Sequence, residues 1–250
     1  MLQVNNINFS YDREPVLKNV SLEANLGEIT CLLGANGSGK TTILKCMNRL
    51  LEPDQGQVSI DGQPLKTLSR KEVARNLSRV PQEHRAVFSY SSRDVVAMGI
   101  TPYLTSGSQP DKTVYQEADK ILDKLNIGHL ADRSYNCISG GERQLVLIAR
   151  ALMQNTRYLL LDEPTSHLDF KNQHLLMAKM RQLASEGKGI VTALHDPNLA
   201  LKYCDRIVII LEGRILTQGP VEKTMTADNL ARAYDIPIQI DLNGRGVEIA

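Results

Sequence analysis

The sequence predicts an α/β fold, and three observations carry that expectation. A glycine-bearing loop, GANGSGKT at 34–41, stands between an apolar run and a helical one. Two later apolar runs, RYLLLDEP at 157–164 and GIVTALHD at 189–196, end in polar residues, as buried parallel strands with functional carboxyl ends do. Between about residues 87 and 132 this rhythm gives way to a helical insert.

The elements follow in chain order. Val4–Tyr11 partly alternates, with Ile7, Phe9 and Tyr11 on one side, which predicts a half-buried strand. Residues 27–51, GEITCLLGANGSGKTTILKCMNRLL, read as buried strand, glycine loop and helix, with Ile43, Leu44, Met47, Leu50 and Leu51 on the apolar helical face. EPDQGQVSIDGQPL at 52–65 reads as a turn and a short strand pair. GITPYLTSGSQPDKT at 99–113 is loop-like, broken by Pro102, Gly107 and Pro110. Val114, Ala118, Ile121, Leu122 and Leu125 then mark one face of an amphipathic helix. RIVIILEGRILTQG at 206–219 predicts a hairpin turning at Glu212-Gly213, and residues 236–250 a second around Asn243-Gly244.

Composition narrows the function. The chain has 250 residues, ample for a buried core, and a net charge of +1 without a long basic run. Strong electrostatic binding to nucleic acid is therefore not expected. Cys31, Cys46, Cys137 and Cys204 form no C-x-x-C pair, so they read as reduced thiols in a cytosolic protein. The first residues lack a basic segment followed by an apolar one, so no signal peptide is expected. Runs such as Ile207–Leu211 fall far short of the ~20 residues of a membrane span. The chain is expected to stay out of the bilayer, free to dock on a protein that crosses it.

Gly34–Thr41 fits G-x-x-x-x-G-K-[ST], the phosphate-binding P-loop. Glycines let the backbone curl so that the N–H groups of Gly34, Ala35, Asn36, Gly37, Ser38 and Gly39 point at phosphate oxygens. The helix that follows adds its positive end, at Thr41 and Thr42. Lys40 reaches the β- and γ-phosphates, and Thr41 ligates Mg²⁺. An ordinary glycine turn capping a helix is the plain alternative; the apolar strand before it argues against that. Asp162 and Glu163 close the second apolar run. With a P-loop on the same chain, Asp162 suits the Mg²⁺ shell and Glu163 suits orienting or deprotonating a water. His195 ends a third strand at the same edge, where an imidazole contacts the γ-phosphate and fixes the water. Gln82, in RVPQEH, is placed to sense the same phosphate or Mg²⁺.

NCISGGERQLVLIARALM at 136–153 contains a capping box, Ser139 with Glu142, followed by an apolar stripe of Leu145, Ile148, Ala149 and Leu152. Capping leaves Gly140 and Gly141 unexplained, since glycine in a first turn costs helix stability. Bare backbone there suits the close approach of an anion, making a second phosphate site. One nucleotide has one γ-phosphate, and the P-loop already holds one side of it. The second site therefore suits a nucleotide bound to another subunit.

Together these motifs resemble the ATP-binding subunit of ABC transporters over nearly the whole chain. LGANGSGKTT matches Walker A, YLLLDEP Walker B, ISGGERQ the signature motif and SHLD the D-loop; Gln82 falls at the Q-loop, His195 at the switch histidine and Tyr11 at the adenine-stacking aromatic. The resemblance implies a P-loop NTPase (RecA-like) core with an N-terminal antiparallel β-subdomain and an inserted α-helical subdomain. Residues 1–225 would form the ATP-binding domain, with the insert at about 87–155, and 226–250 a short extension. It also implies a head-to-tail dimer, each ATP lying between one Walker A and the other chain's Ser139–Gly141, with Glu142 and the D-loop Asp169 alongside. VPQEHRAVFSYSSRDVVAMGITPY and TQGPVEKTMTADNLARAYDIPIQI resemble importers of iron–siderophore, haem and cobalamin chelates. That implies a peripheral ATPase at the cytoplasmic face of the membrane, a separate permease and an extracytoplasmic binding protein. Ile138, Glu142 and His167 depart from the general pattern, which more often has Leu, Gln and a small residue there. Two other readings share the P-loop: a soluble ABC ATPase acting as a switch in assembly or repair, and a small-molecule kinase, which gives no reason for SGGE.

Overall fold

Apolar runs flanked by polar turns dictate the architecture. The computed structural model describes residues 1–82, 89–105, 107–241 and 246–249. In chain order, β1 (Leu2–Tyr11), β2 (Glu14–Ala24), β3 (Ile29–Leu33), α1 (Lys40–Met47), β4 (Gln55–Ile60), β5 (Gln63–Pro64), α2 (Arg70–Asn76) and β6 (Leu77–Val80) come first. The helices α3 (Ser92–Ala97), α4 (Lys112–Lys124) and α5 (Gly140–Met153) follow, between β6 and the next strand. Strands and helices then alternate: β7 (Tyr158–Asp162), α6 (Phe170–Ser185), β8 (Gly189–Leu194), α7 (Pro197–Tyr203), β9 (Arg206–Leu211) and β10 (Arg214–Pro220). The chain closes with α8 (Val221–Thr224), α9 (Ala227–Tyr234), β11 (Ile238–Asp241) and β12 (Gly246–Ile249).

The central sheet has the order β10-β9-β3-β8-β7-β6. All its pairs are parallel except β10 with β9. Its inner strands are buried on both faces because they are apolar at most positions, Thr30 and Thr192 being the buried polar exceptions within β3 and β8, and successive side chains go to opposite layers. Cys31, Leu33, Leu159, Leu161, Ile207 and Ile209 join a core shared with α3 to α7 and α9. Leu32, Leu160, Val191, Ala193, Val208 and Ile210 join a second core under α1 and the antiparallel sheet β2-β1-β4-β5. The α/β fold with an antiparallel sheet and a helical part is thus borne out.

Several local expectations shift. The alternation of β1 changes phase at a bulge between Val4 and Ile7, where Asn6 takes φ +49°; Ile7 and Phe9 are then buried, while Tyr11, at the strand's end, is exposed. Helix α1 stops at Met47, leaving Leu50 outside it and 55% exposed. A 3₁₀ segment, Met98–Tyr103, occupies part of the stretch read as loop. Helix α5 is packed on more than one side: Val146 and Leu147 are buried as completely as Ile148 and Ala149. The hairpin at Glu212-Gly213 is present; Asn243 and Gly244 lie outside the described residues, between the paired β11 and β12. Among the described residues no helix is long and apolar enough to cross a membrane.

The glycine loop is braced from behind. Gly213, at φ +77°, donates its N–H to Ser38 O at 3.1 Å and accepts from Lys18 N at 2.8 Å. A Cβ there would lie 2.0 Å from the Val16 carbonyl oxygen. Gly213→Ala is therefore expected to lower unfolding free energy by roughly 1–3 kcal/mol, the usual cost of forced backbone. Urea denaturation reads it; an unchanged midpoint would show that the brace is slack.

Candidate nucleotide and metal site

Parallel pairing brings four strand ends to one edge. β3 ends in the glycine loop, β7 in Asp162, β8 just before His195 and β6 two residues before Gln82. The loop 36–42, with Val16 and Glu163, lines a cavity of about 260 Å³. Lys40 Nζ donates to the carbonyl oxygens of Gly34 and Ala35 at 2.7 and 2.9 Å. Burial pushes the Lys40 ammonium below its ordinary value, against the opposing attraction of Glu163, Cys31 and Asp162.

The adjacent carboxylates have separate partners. Thr41 Oγ1 donates to Asp162 Oδ1 at 2.8 Å, and the Arg79 guanidinium donates to Oδ2 at 2.7 Å. Asp162 is 1% exposed. Glu163 leaves the strand at φ +49°, a left-handed turn uncommon for a residue with a side chain. Its Oε2 accepts from Gln82 Nε2 at 2.5 Å, and its Oε1 lies 2.5 Å from His195 Nε2. Three residues far apart in sequence thus converge beside the cavity. Two hard oxygens, Thr41 Oγ1 and Asp162 Oδ1, form a donor pair suited to Mg²⁺.

The Ser139 turn forms the expected capping box. Glu142 N donates to Ser139 Oγ at 3.3 Å, and Ser139 N donates to Glu142 Oε2 at 2.7 Å. The segment around His167 packs behind the two glycines. A Cβ on Gly141 would lie 2.9 Å from His167 O and 3.1 Å from Leu168 Cδ2, so this chain's own packing requires glycine there. A Cβ on Gly140 would lie 3.7 Å from His167 Cβ, an ordinary contact. Asp169 caps α6, accepting from Asn172 N at 2.7 Å. Tyr11 does not line the cavity; its ring meets Phe9 edge-on at 4.8 Å.

The family model described as ABC transporter matches residues 17–166, more than half of the chain. The chain belongs to the ABC transporter family. As an ABC cassette it binds ATP and is an ATPase. It is 39% identical to a hemin import ATP-binding protein of Shewanella denitrificans, over 96% of this chain and 95% of that protein. A hemin import ATP-binding protein of Hahella chejuensis is 38% identical, over 90% and 89%. Among solved structures, an inward-facing metal-chelate type ABC transporter aligns at TM-score 0.84 and 31% identity, over 96% of this chain and 90% of that one. A dimeric bacterial ABC transporter cassette aligns at TM-score 0.79 and 28% identity, over 88% and 99%.

Two residues of the cassette's site escaped the sequence reading. Val16 lies on a strand remote in sequence from the loop it flanks, and nothing in its pattern marks it. Arg79 had a signal: a lone charge in the short strand LSRV, three residues before Gln82.

The capping box carries a pH dependence. Hydrogen bonds from the Ser139 backbone and side chain hold the Glu142 carboxyl below its ordinary value. A lowered carboxyl pKa stabilises the fold above the unfolded value, and that stabilisation is lost as pH falls through the folded one. Glu142→Gln should therefore differ from wild type in thermal stability at neutral pH and converge on it well below pH ~4.3, the ordinary Glu value. A difference independent of pH would remove the charge from this account.

Proposed function

We propose that this chain energises uptake of a metal chelate, of the iron–siderophore, haem or cobalamin class, through a separate membrane permease. It would work as a peripheral subunit at the cytoplasmic face of the membrane, with cargo delivered by an extracytoplasmic binding protein. The roles of its relatives in hemin import, and the fold match to a metal-chelate transporter, support the cargo class. The observation that carries the chemistry is the Glu163 carboxylate gripped by Gln82 and His195 at the mouth of the phosphate-loop cavity.

In this reading the N–H groups of residues 34–42 receive the ATP phosphates, and Lys40 exchanges its carbonyl partners for the β- and γ-phosphates. Thr41 and Asp162 would hold Mg²⁺, which would supply charge neutralisation on those phosphates. Glu163 accepts a proton from water as the water oxygen bonds to the γ-phosphorus. The bond from that phosphorus to the bridging oxygen breaks, and its electron pair leaves with ADP. Each Glu163 oxygen has one partner among the described residues of the ligand-free chain, and a carboxylate oxygen carries a second lone pair that can accept from the water. His195 then steadies the carboxylate, and Gln82 reports the change towards the permease; residues 83–88, which follow it, lie outside the described residues.

The other face of the γ-phosphate belongs to a second copy of the chain, through Ser139, Gly140 and Gly141. Glu142 and Asp169 act from behind as caps of that face, and Tyr11 packs on the adenine. ATP favours the closed pair because it touches both copies, and hydrolysis removes that preference.

Glu163→Gln should cut phosphate release by roughly 10²–10⁴-fold while leaving ATP binding intact, the scale of general-base assistance. Near-normal turnover would remove Glu163 as the base. Ser139→Arg should bind ATP without turning it over. In mixed dimers of Ser139→Arg with wild type, the lost site should be the one whose Walker A lies on the wild-type copy. Loss at the mutant's own Walker A would contradict the shared site.

A further inference from the structure

We infer that Arg79 is a positioning residue that weakens divalent-metal binding in the ligand-free site by occupying the second oxygen of Asp162. The inference rests on reading Thr41 and Asp162 as metal ligands, and deepens that reading.

Arg79 lies on β6, the edge strand of the central sheet, in register with Leu160. From there its side chain crosses to the end of β7 and meets Asp162 Oδ2 at 2.7 Å. Both partners are removed from water, with side-chain exposures of 13% and 1%. Arg79 Nε is buried with no hydrogen-bond partner among the described residues. The ion pair with Asp162 is therefore what offsets the cost of burying this guanidinium. On its other oxygen Asp162 accepts from Thr41, which leaves that side for a metal.

Two consequences follow from elementary electrostatics. A permanent cation on the same carboxylate reduces the attraction that draws a divalent ion. The guanidinium also keeps Asp162 from offering both oxygens to a metal. An ion is then retained only when nucleotide phosphates add their own charge and ligands. Arg79 thereby makes metal binding conditional on nucleotide. It also links the metal carboxylate to the strand that runs into Gln82, three residues on.

The test is Mn²⁺ binding to the full chain, followed by electron paramagnetic resonance with and without ADP. Asp162→Asn comes first: it must weaken Mn²⁺ binding to the ADP complex, and if it does not, the metal reading itself fails. Arg79→Gln keeps a hydrogen-bond donor but removes the charge. It should bind Mn²⁺ about tenfold more tightly than wild type without nucleotide, the scale of removing one nearby charge in a partly screened site. Arg79→Lys keeps the charge and should stay within about twofold of wild type. Arg79→Asn is the second neutral variant, used if Arg79→Gln does not fold. Equal Mn²⁺ affinity in the wild type and a folded neutral variant, with Asp162→Asn still impaired, overturns the inference and leaves the metal reading standing. Tightening in Arg79→Lys equal to that in the neutral variant overturns it too, because charge would not be the cause.

Discussion

Parallel hydrogen bonding among β3, β8, β7 and β6 forces their carboxyl ends to one edge of the sheet, and the chemistry of this chain depends on that alignment. Strands buried on both faces tolerate polar side chains poorly along their length. Polar groups therefore gather where each strand leaves the sheet. The glycine loop, Asp162, Glu163, His195 and Gln82 come together there although they span residues 34 to 195. The brace through Gly213 adds a second constraint, tying the loop to the β9–β10 turn and to β2.

Within that edge, two neighbouring carboxylates are given different work by one backbone turn. Asp162 finishes β7 in extended backbone and points at Thr41 and Arg79. Glu163, at φ +49°, swings its carboxylate to Gln82 and His195. The first is neutralised by a fixed cation and offers one oxygen. The second meets an amide and an imidazole, one on each oxygen. In the proposed reading a metal ligand and a base thus sit on consecutive residues without sharing a partner.

Much of this was legible in the sequence, where local chemistry dictates local structure. GANGSGKT announces a phosphate loop because glycine and lysine spacing is demanded by the loop's own geometry. Ser139 and Glu142 announce their capping box for the same reason. The ends of β7 and β8 could be read from apolar runs that stop at acids or histidine. What stayed hidden depends on neighbours distant in the chain. Arg79 finds its meaning only across two strands, Val16 only across the loop it flanks. Gly141 was expected to bare its backbone to an anion, yet the His167 carbonyl already forbids a side chain there. That leaves Gly140, with ordinary space around it, as the glycine whose bareness intrachain packing does not require.

The central claim is that half of each ATP site lies on a second copy of the chain. Sedimentation velocity of the Glu163→Gln chain, with magnesium and either ATP or ADP, tests it most directly. The account predicts a dimer in ATP and a monomer in ADP, because only the γ-phosphate bridges the P-loop of one copy to Ser139–Gly141 of the other. A chain that binds ATP and remains monomeric at every concentration, or dimerises equally in ADP, would contradict it.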